Sequence, residues 1–173
     1  MSYPFSQRDF DDPPHARATP PKPVPAMPHP FQHLHHVCIV VHDLERAVAY
    51  YQSLGVGPWF DYPKGAPYVE FEVPDKAASD AMRYKCCDLP GVQLQLCQPS
   101  ALPSPQRQFL DTHGEGVYHL GFEVPACDAA EAHMHERGVA VLARGRRADR
   151  SGFTYFDTRA GAGVTLEVRK TAP

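Results

Sequence analysis

An internal repeat is the feature that most constrains what this chain can fold into. Residues 34–56 align without a gap with residues 117–139, and His36 then falls on His119. Such self-similarity indicates a structure built twice from one supersecondary unit. The architecture of one copy therefore predicts the architecture of the other.

The first copy predicts a strand followed by a helix. Residues 35–41 alternate, which puts Val37 on the face that the helix covers and His36 on the opposite face. Asp43 is placed to cap the start of that helix, and Gly55 is placed to end it in the left-handed conformation.

The second copy predicts the same succession. The strand at residues 116–124 carries His119 on the face away from its helix. We expect Asp128 to cap this helix, with Glu131 completing a capping box, and Gly138 to end it.

The segments between and after the helices predict further strands. Strands are expected at residues 57–62, 68–73, 82–88, 92–97, 140–142, 152–157 and 164–168, a short helix at 106–112, a loop at 75–80, and a basic loop between residues 142 and 152.

The composition excludes several classes of function. A net charge of −3 gives no reason to expect a nucleic-acid partner, and no apolar run approaches the roughly 20 residues of a membrane span. The N-terminus lacks the pattern of a secretory signal. The five cysteines are odd in number and lack zinc-ribbon spacing, so we expect free thiols and a cytoplasmic protein.

Residues 1–31 differ from the rest of the chain. Nine of the 19 prolines lie there, and proline disfavours helix interiors and favours extended segments. We expect either a tail over the surface or an arm that embraces a second subunit. The domain prediction is an arm at 1–31, a first module at 32–99, a linker at 100–115 and a second module at 116–173.

The last strands of the two copies complete a candidate metal site. Residues 92–96 align with residues 164–168, so Gln95 falls on Glu167. Each copy thus places a His on its first strand and a Gln or Glu on its last, all on the face away from the helix. His36, Gln95, His119 and Glu167 would suit one divalent ion per chain: cobalt, nickel, zinc or iron(II). The alternative is that they are polar residues on a solvated sheet face.

At this point the chain resembles the vicinal oxygen chelate superfamily of glyoxalases, bleomycin resistance proteins and dioxygenases, and within it the methylmalonyl-CoA epimerase branch. The resemblance covers residues 33–170. Its motifs are His35–Leu44, Gln93–Pro99, Gly114–His119 and Gly163–Glu167.

The resemblance implies an α+β fold in which paired βαβββ modules form a mixed, curved sheet around a metal-binding cup. It implies His36, Gln95, His119 and Glu167 as the metal ligands, Glu167 as a catalytic base, and a homodimer. A second base has no match, since the corresponding region lies near Met82 and Arg83, although Glu70, Glu72 and Asp80 are close in sequence.

Several other residues admit two interpretations. The cluster Arg144, Arg146, Arg147 and Arg150 is either a clamp for phosphates or a carboxylate, or a solvated loop. Cys38 and Cys97 either line the pocket or pack in the core. The same two interpretations apply to the aromatic residues Trp59, Phe60, Tyr62 and Tyr68. His33, His35 and His42 are expected to be bystanders.

The sequence therefore predicts a metal-dependent epimerase, isomerase or glyoxalase-like lyase that acts on a small carbonyl or acyl-thioester substrate through an enolate. Two alternatives stay open. One is an iron(II) ring-cleaving dioxygenase, which a fourth protein ligand at Gln95 would disfavour. The other is a non-catalytic small-molecule-binding protein of the same fold.

Overall fold

A computed structural model of the chain describes residues 29–63 and 65–172. It contains these strands and helices in chain order: β1 His33–Val40, α1 Leu44–Ser53, β2 Phe60–Asp61, β3 Glu70–Glu72, α2 Lys76–Asp80, β4 Arg83–Leu89, β5 Val92–Gln98, α3 Pro105–His113, β6 Gly116–Glu123, α4 Cys127–His135, β7 Val141–Arg146, β8 Gly152–Phe156, α5 Arg159–Ala162 and β9 Thr165–Lys170.

The described strands form one mixed sheet in the order β2-β4-β5-β1-β6-β9-β8-β7-β3. Strands β1, β2, β4 and β5 with helix α1 make one βαβββ unit, and strands β6 to β9 with helix α4 make the other. The first strands of the two units, β1 and β6, pair antiparallel at the centre of the sheet. The predicted α+β fold with paired βαβββ modules is confirmed.

The two helices cover the outer face of this sheet. Leu44 and Val48 of α1 pack with Val41 and Leu96, and Ala130 and Met134 of α4 pack in a second cluster with Val168 and other residues. Burying these apolar side chains against the sheet is what fixes each helix in place. The opposite face is left free to form a cup.

Strand β3 joins the two ends of the sheet. It belongs to the first half of the sequence, yet it pairs antiparallel with β7 of the second half, with Phe71 opposite Gly145. Strand β2, at the other end, is separated from β3 by residues 62–69. A flat sheet of nine strands would be about 38 Å wide, but this connection spans at most about 32 Å. The sheet must therefore curve.

Two β-bulges lie at equivalent positions of the repeat. The β1–β6 register shifts between Leu34 and His36, leaving His35 as an extra residue, and between Cys38 and Ile39, where Tyr118 is the extra residue on β6. A bulge interrupts the alternation of side chains. Strict alternation on a strand that points His119 away from the helix would point Tyr118 towards it, but because of the bulge Tyr118 lines the cup instead.

Two other expectations are corrected. Residues 75–80 are not a loop, because α2 forms there with Asp75 as its cap, accepting from the Ala78 amide at 2.7 Å. Asp128 does not cap α4: the N-cap is Ala126, without a side-chain hydrogen bond. Asp128 instead accepts a hydrogen bond from Arg146 Nε at 2.9 Å.

The structure tests the remaining expectations, on cysteines, membrane spans and domains, only in part. The five cysteines, all within the described residues, are free thiols and are buried. None of the described helices has the length and apolar character needed to cross a bilayer. Residues 1–28 of the proline-rich arm lie outside the described residues, so its role, the domain boundaries and the homodimer stay predictions.

Candidate metal centre

Three of the four predicted ligands meet in the cup. His36 Nε2 lies 2.8 Å from His119 Nε2 and 3.1 Å from Glu167 Oε2. His119 Nε2 lies 3.0 Å from the same carboxylate oxygen. The three side chains come from β1, β6 and β9, and the exposed fraction of each residue is 4% or less. Three ligand atoms therefore form a nearly equilateral buried triangle.

The size of this triangle suits a metal ion. Two ligand atoms that each lie about 2.1 Å from an ion, at right angles to one another, are about 3.0 Å apart. The observed separations of 2.8, 3.0 and 3.1 Å agree with this arrangement. Two imidazoles and one carboxylate on one face of an ion are also the ligand set of non-haem iron enzymes. His36, His119 and Glu167 could hold a divalent metal ion.

The electrostatics favour the ionised carboxylate. Burial raises the pKa of Glu167, but the imidazoles of His36 and His119 outweigh it, so the pKa lies well below its usual range. Burial lowers the pKa of His119, which favours the neutral imidazole that a metal requires. Both groups are thus held in the protonation states in which they bind metal.

His35 contacts the far side of the His36 ring. The two Nδ1 atoms lie 3.0 Å apart, and burial, followed by the charge of Arg169, lowers the pKa of His35 to about 4. A neutral His35 can accept the Nδ1 proton of His36 and leave the Nε2 lone pair free for a metal. The bulge at His35 thus brings into contact with a candidate ligand a side chain that is expected to point away from the site; the bystander role itself stays a prediction.

Gly121 gives the His36 ring its space. It lies opposite His36 on β6 and opposite Glu167 on the β6–β9 side. A Cβ at this position would lie 2.0 Å from His36 Cε1, well inside van der Waals contact. Strand alternation puts Gly121, two residues after His119, on the same face as His119, but no motif in the sequence marks it as part of the site.

Gln95 lies in the cup but is not joined to the triangle. It lines the same cavity as His36 and Glu167 and is 2% exposed. Its amide donates to Gln93 Oε1 at 2.7 Å, and within the described residues it makes no hydrogen bond to the other three side chains. Its role as a fourth ligand stays a prediction.

The cavity beside the triangle has a volume of about 620 Å³, within the usual range for small-molecule sites. Aromatic side chains form part of its wall: Tyr62, Tyr68, Phe71, Tyr84, Tyr118, Phe153 and Tyr155. Tyr62 and Tyr68 thus belong to the wall, whereas Trp59 packs against Tyr51 beside α1 and Phe60 is 38% exposed. Cys38 and Cys97 pack in a buried apolar cluster.

The arginine cluster is mostly paired within the protein. Arg146 is fully buried and donates to Asp128 and Glu131. Arg144 and Arg150 pair with Glu72 at 2.6 Å and Glu70 at 2.5 Å. Strand β7 includes the first two arginines, so they do not belong to a solvated loop.

Arg147 differs from the other arginines, because it lines the cavity and stacks on Tyr68 at 4.4 Å. The acids near it are also engaged. Among the described residues, the cavity is lined by three acids: Glu167, the helix-capping Asp75, and Asp80, whose carboxylate pairs with Lys76 at 2.6 Å.

Comparison with known proteins gives a consistent result. Residues 35–156 match the family model described as Glyoxalase/Bleomycin resistance protein/Dioxygenase superfamily. The chain is 33% identical over 114 residues to an ethylmalonyl-CoA/methylmalonyl-CoA epimerase from Cereibacter sphaeroides, covering 65% of this chain and 75% of the relative.

Solved structures agree with the sequence match. Methylmalonyl-CoA epimerase from Mycobacterium tuberculosis superposes with a TM-score of 0.63 at 26% identity, covering 86% of this chain and 93% of the other. A Streptomyces coelicolor methylmalonyl-CoA epimerase variant in complex with 2-nitronate-propionyl-CoA superposes with a TM-score of 0.62 at 25% identity, covering 83% and 99%.

Proposed function

The chain belongs to the glyoxalase/bleomycin resistance/dioxygenase superfamily, and on that premise we propose that it is a metal-dependent epimerase or isomerase of a small carbonyl or acyl-thioester substrate. The observation that carries the proposal is the triangle of His36, His119 and Glu167, with ligand atoms 2.8–3.1 Å apart at the floor of a cavity. The similarity to epimerases supports the type of reaction.

A divalent ion held by these residues would stabilise negative charge that develops on a carbonyl oxygen of the substrate. Glu167 would act as the base that takes a proton from the neighbouring carbon, and its buried, ionised carboxylate beside the cavity supports this role. The aromatic wall would shield that step from bulk water. Return of the proton by Glu167 to the same face gives exchange without inversion. Inversion of the carbon requires a second donor that delivers a proton to the opposite face.

The test of this proposal measures proton exchange at the substrate carbon in protein that has been loaded with metal. Purified protein, loaded with cobalt(II), is incubated in D₂O with methylmalonyl-CoA and ethylmalonyl-CoA, and deuterium at the carbon between the carbonyls is followed by mass spectrometry. We expect incorporation in the wild type and a loss of at least about a hundredfold in Glu167→Gln. Glu136→Gln, which removes an exposed carboxylate elsewhere, is the control.

Retained cobalt without deuterium exchange on any acyl-thioester would contradict the epimerase proposal. In that case a binding protein of the same fold, which would bind such a compound without turnover, becomes the better account.

One observation favours a second candidate, an iron(II) ring-cleaving dioxygenase. The two imidazoles and the carboxylate have the composition and spacing of a facial triad, and the Gln95 amide is bonded to Gln93. Such a triad leaves positions for substrate and oxygen. Oxygen uptake by iron(II)-loaded protein with catechols, with no uptake by the cobalt(II) form, would support this candidate. No oxygen uptake by either the iron(II) or the cobalt(II) form would eliminate the dioxygenase candidate.

A further inference from the structure

Arg169 places a positive charge in the cavity close to the candidate metal centre. It lies two residues after Glu167 on β9, hence on the same face of the strand and about 6.6 Å further along it. Its side chain lines the cavity and is only 16% exposed. A ligand held at the metal centre would therefore extend towards a guanidinium.

This guanidinium lacks a close anionic partner among the described residues. Its Nε is buried without a hydrogen bond, and the carboxylate nearest to it in the described ion pairs, Glu123, lies 3.8 Å away. That carboxylate accepts the Thr171 amide at 2.8 Å and the Thr171 hydroxyl at 3.0 Å. A shielded charge without a close partner is costly, and an incoming oxyanion would offset that cost.

The repeat makes Arg169 distinctive. Just as Gln95 corresponds to Glu167, Cys97 corresponds to Arg169. Cys97 is fully buried in an apolar cluster with Cys38 and Tyr118, against which Met82 and Tyr84 pack. The two flanks of the cup therefore have different chemistry: one flank is apolar and rich in sulfur, and the other carries a cation. A pseudo-symmetric cup built this way would orient a ligand that has one apolar and one anionic end.

We propose that Arg169 forms an anion-binding subsite that receives a carboxylate, or a comparable planar oxyanion, of the substrate. This inference rests on the proposed function, because it assumes that the substrate sits at the His36, His119 and Glu167 centre. Guanidinium is suited to the task since it bonds planar oxyanions in a bidentate manner. The subsite selects acids over neutral analogues, with Arg169 as the specificity-determining residue.

The test compares malonate with its neutral isostere malonamide. Both carry two carbonyl oxygens, but only malonate carries charge. Each is titrated by calorimetry into the wild type, Arg169→Met, Arg169→Lys and Arg137→Met, first metal-free and then loaded with cobalt(II). Arg137 is an exposed control, whose guanidinium bonds to the His133 carbonyl on α4. Thermal melting verifies that each variant is folded.

We expect Arg169→Met to weaken malonate binding at least about tenfold and malonamide binding less than twofold. Arg169→Lys, which keeps the charge but not the planar fork, should restore part of the malonate affinity. Arg137→Met should behave as the wild type. Equal affinity of the wild type for the two probes, or equal losses for both probes in Arg169→Met, would overturn the proposal.

Failure of this subsite and failure of the proposed function give different results. If the wild type binds no cobalt(II), the proposed function fails, and the subsite is judged on the malonate preference of the metal-free protein alone. If cobalt(II) binds and acyl-thioesters exchange protons but Arg169→Met keeps the malonate preference, only the subsite fails.

Discussion

At the scale of single residues, the position of the His36 imidazole depends on neighbours that bind nothing themselves. Gly121 leaves the volume that the ring occupies, and His35 contacts the nitrogen that faces away from the triangle. Ligand orientation by such neighbours commonly decides metal affinity.

Replacing Gly121 with alanine should weaken metal binding. The new Cβ would lie 2.0 Å from His36 Cε1, so the ring must leave its place and the triangle opens. We expect cobalt(II) affinity, measured by calorimetry, to fall at least about tenfold. Gly161→Ala is the matched control, because nothing lies within 4 Å of its Cβ position. Full cobalt affinity in Gly121→Ala would refute this role.

Replacing His35 with leucine should weaken metal binding without removing a ligand. The variant loses the acceptor for the His36 Nδ1 proton, and losses of this kind amount to about 10- to 100-fold in metal affinity. Competition with a chromophoric chelator measures the change. His33→Leu is the control, since His33 is exposed at the start of β1. An unchanged metal affinity in His35→Leu would support the expectation that His35 is a bystander.

The candidate ligands could be predicted from the sequence where the repeat carries the same residue type twice. His36 and His119 share one position of the repeat, and Glu167 follows from strand alternation. Arg169 was passed over because a charged residue on a half-exposed strand is ordinarily solvated. Its burial is a property of the closed cup, which no local pattern reports.

At the scale of elements, Arg146 fastens α4 to the sheet. Its fully buried side chain donates to Asp128 and Glu131 on α4 and to Thr154 on β8. Without Arg146, Asp128 would keep Arg150 and Glu131 would keep Arg144 as partners, but the buried bonds to Thr154 and to the Phe153 carbonyl would be lost. Removing one partner of a buried ion pair is strongly destabilising. Helix α4 therefore owes its position to a polar junction as well as to its apolar face.

Replacing Arg146 with methionine should lower the free energy of unfolding by about 3 kcal/mol or more. Urea denaturation measures the change. Arg107→Met provides the comparison: Arg107 pairs with Asp111 on the surface of α3, and such pairs contribute roughly 0.5 kcal/mol. Similar losses in the two variants would contradict the special weight given to the buried junction.

The same junction should make stability fall in acid. Arg150 first, and then Arg146, hold the pKa of Asp128 below its ordinary value of 3.8. A carboxylate with a lowered pKa contributes stability above its unfolded value and loses it as the pH falls through the folded value. Urea denaturation should therefore find Asp128→Asn less stable than the wild type at pH 7, with the difference shrinking below about pH 3.8. A pH-independent difference would contradict this sign.

Elements with strong local signals were predicted well. Asp43 caps α1 by accepting from the Arg46 amide at 3.0 Å, and Gly55 and Gly138 follow their helices with φ of 85° and 71°. Helix α2 was missed because five residues are too few to display helical periodicity. Asp128 has the residue type and position expected of a helix cap, but its carboxylate accepts hydrogen bonds from Arg146 and Arg150 instead.

At the scale of the whole molecule, the triangle links the two halves of the sheet. His36 belongs to the first βαβββ unit, while His119 and Glu167 belong to the second. An ion bound there would hold together the central β1–β6 pair, whose register carries both bulges. Since a ligand that binds only the folded state stabilises it, metal should raise global stability.

Adding cobalt(II) at about a hundred times its dissociation constant should stabilise the wild type by about 2.7 kcal/mol. For a chain of this length that corresponds to a rise in melting temperature of about 5 °C or more, reversed by a chelator. His119→Ala should show no metal-dependent shift in calorimetry. A shift of equal size in that variant would place the ion elsewhere.

The paired modules were predictable because duplication repeats a local pattern, and the curved sheet was implied by the resemblance to the superfamily. The pairing of β3 was not predictable. Strand β3 pairs with a strand some seventy residues later, Glu70 opposite Arg146, and a three-residue strand carries no sequence signal for so distant a partner. The pairing of Arg144 and Arg150 with Glu72 and Glu70 was hidden for the same reason.

The crossing of β3 has a consequence for how the duplicated halves can be separated. A copy of the first half made alone would carry a strand whose hydrogen-bonding partner is encoded only in the second, and the second alone would expose the edge of β7. Two fragments cleaved between β5 and α3 should therefore find each other by strand donation and reconstitute the cup. The two halves of the sequence are therefore not interchangeable, because one half donates a strand to the other.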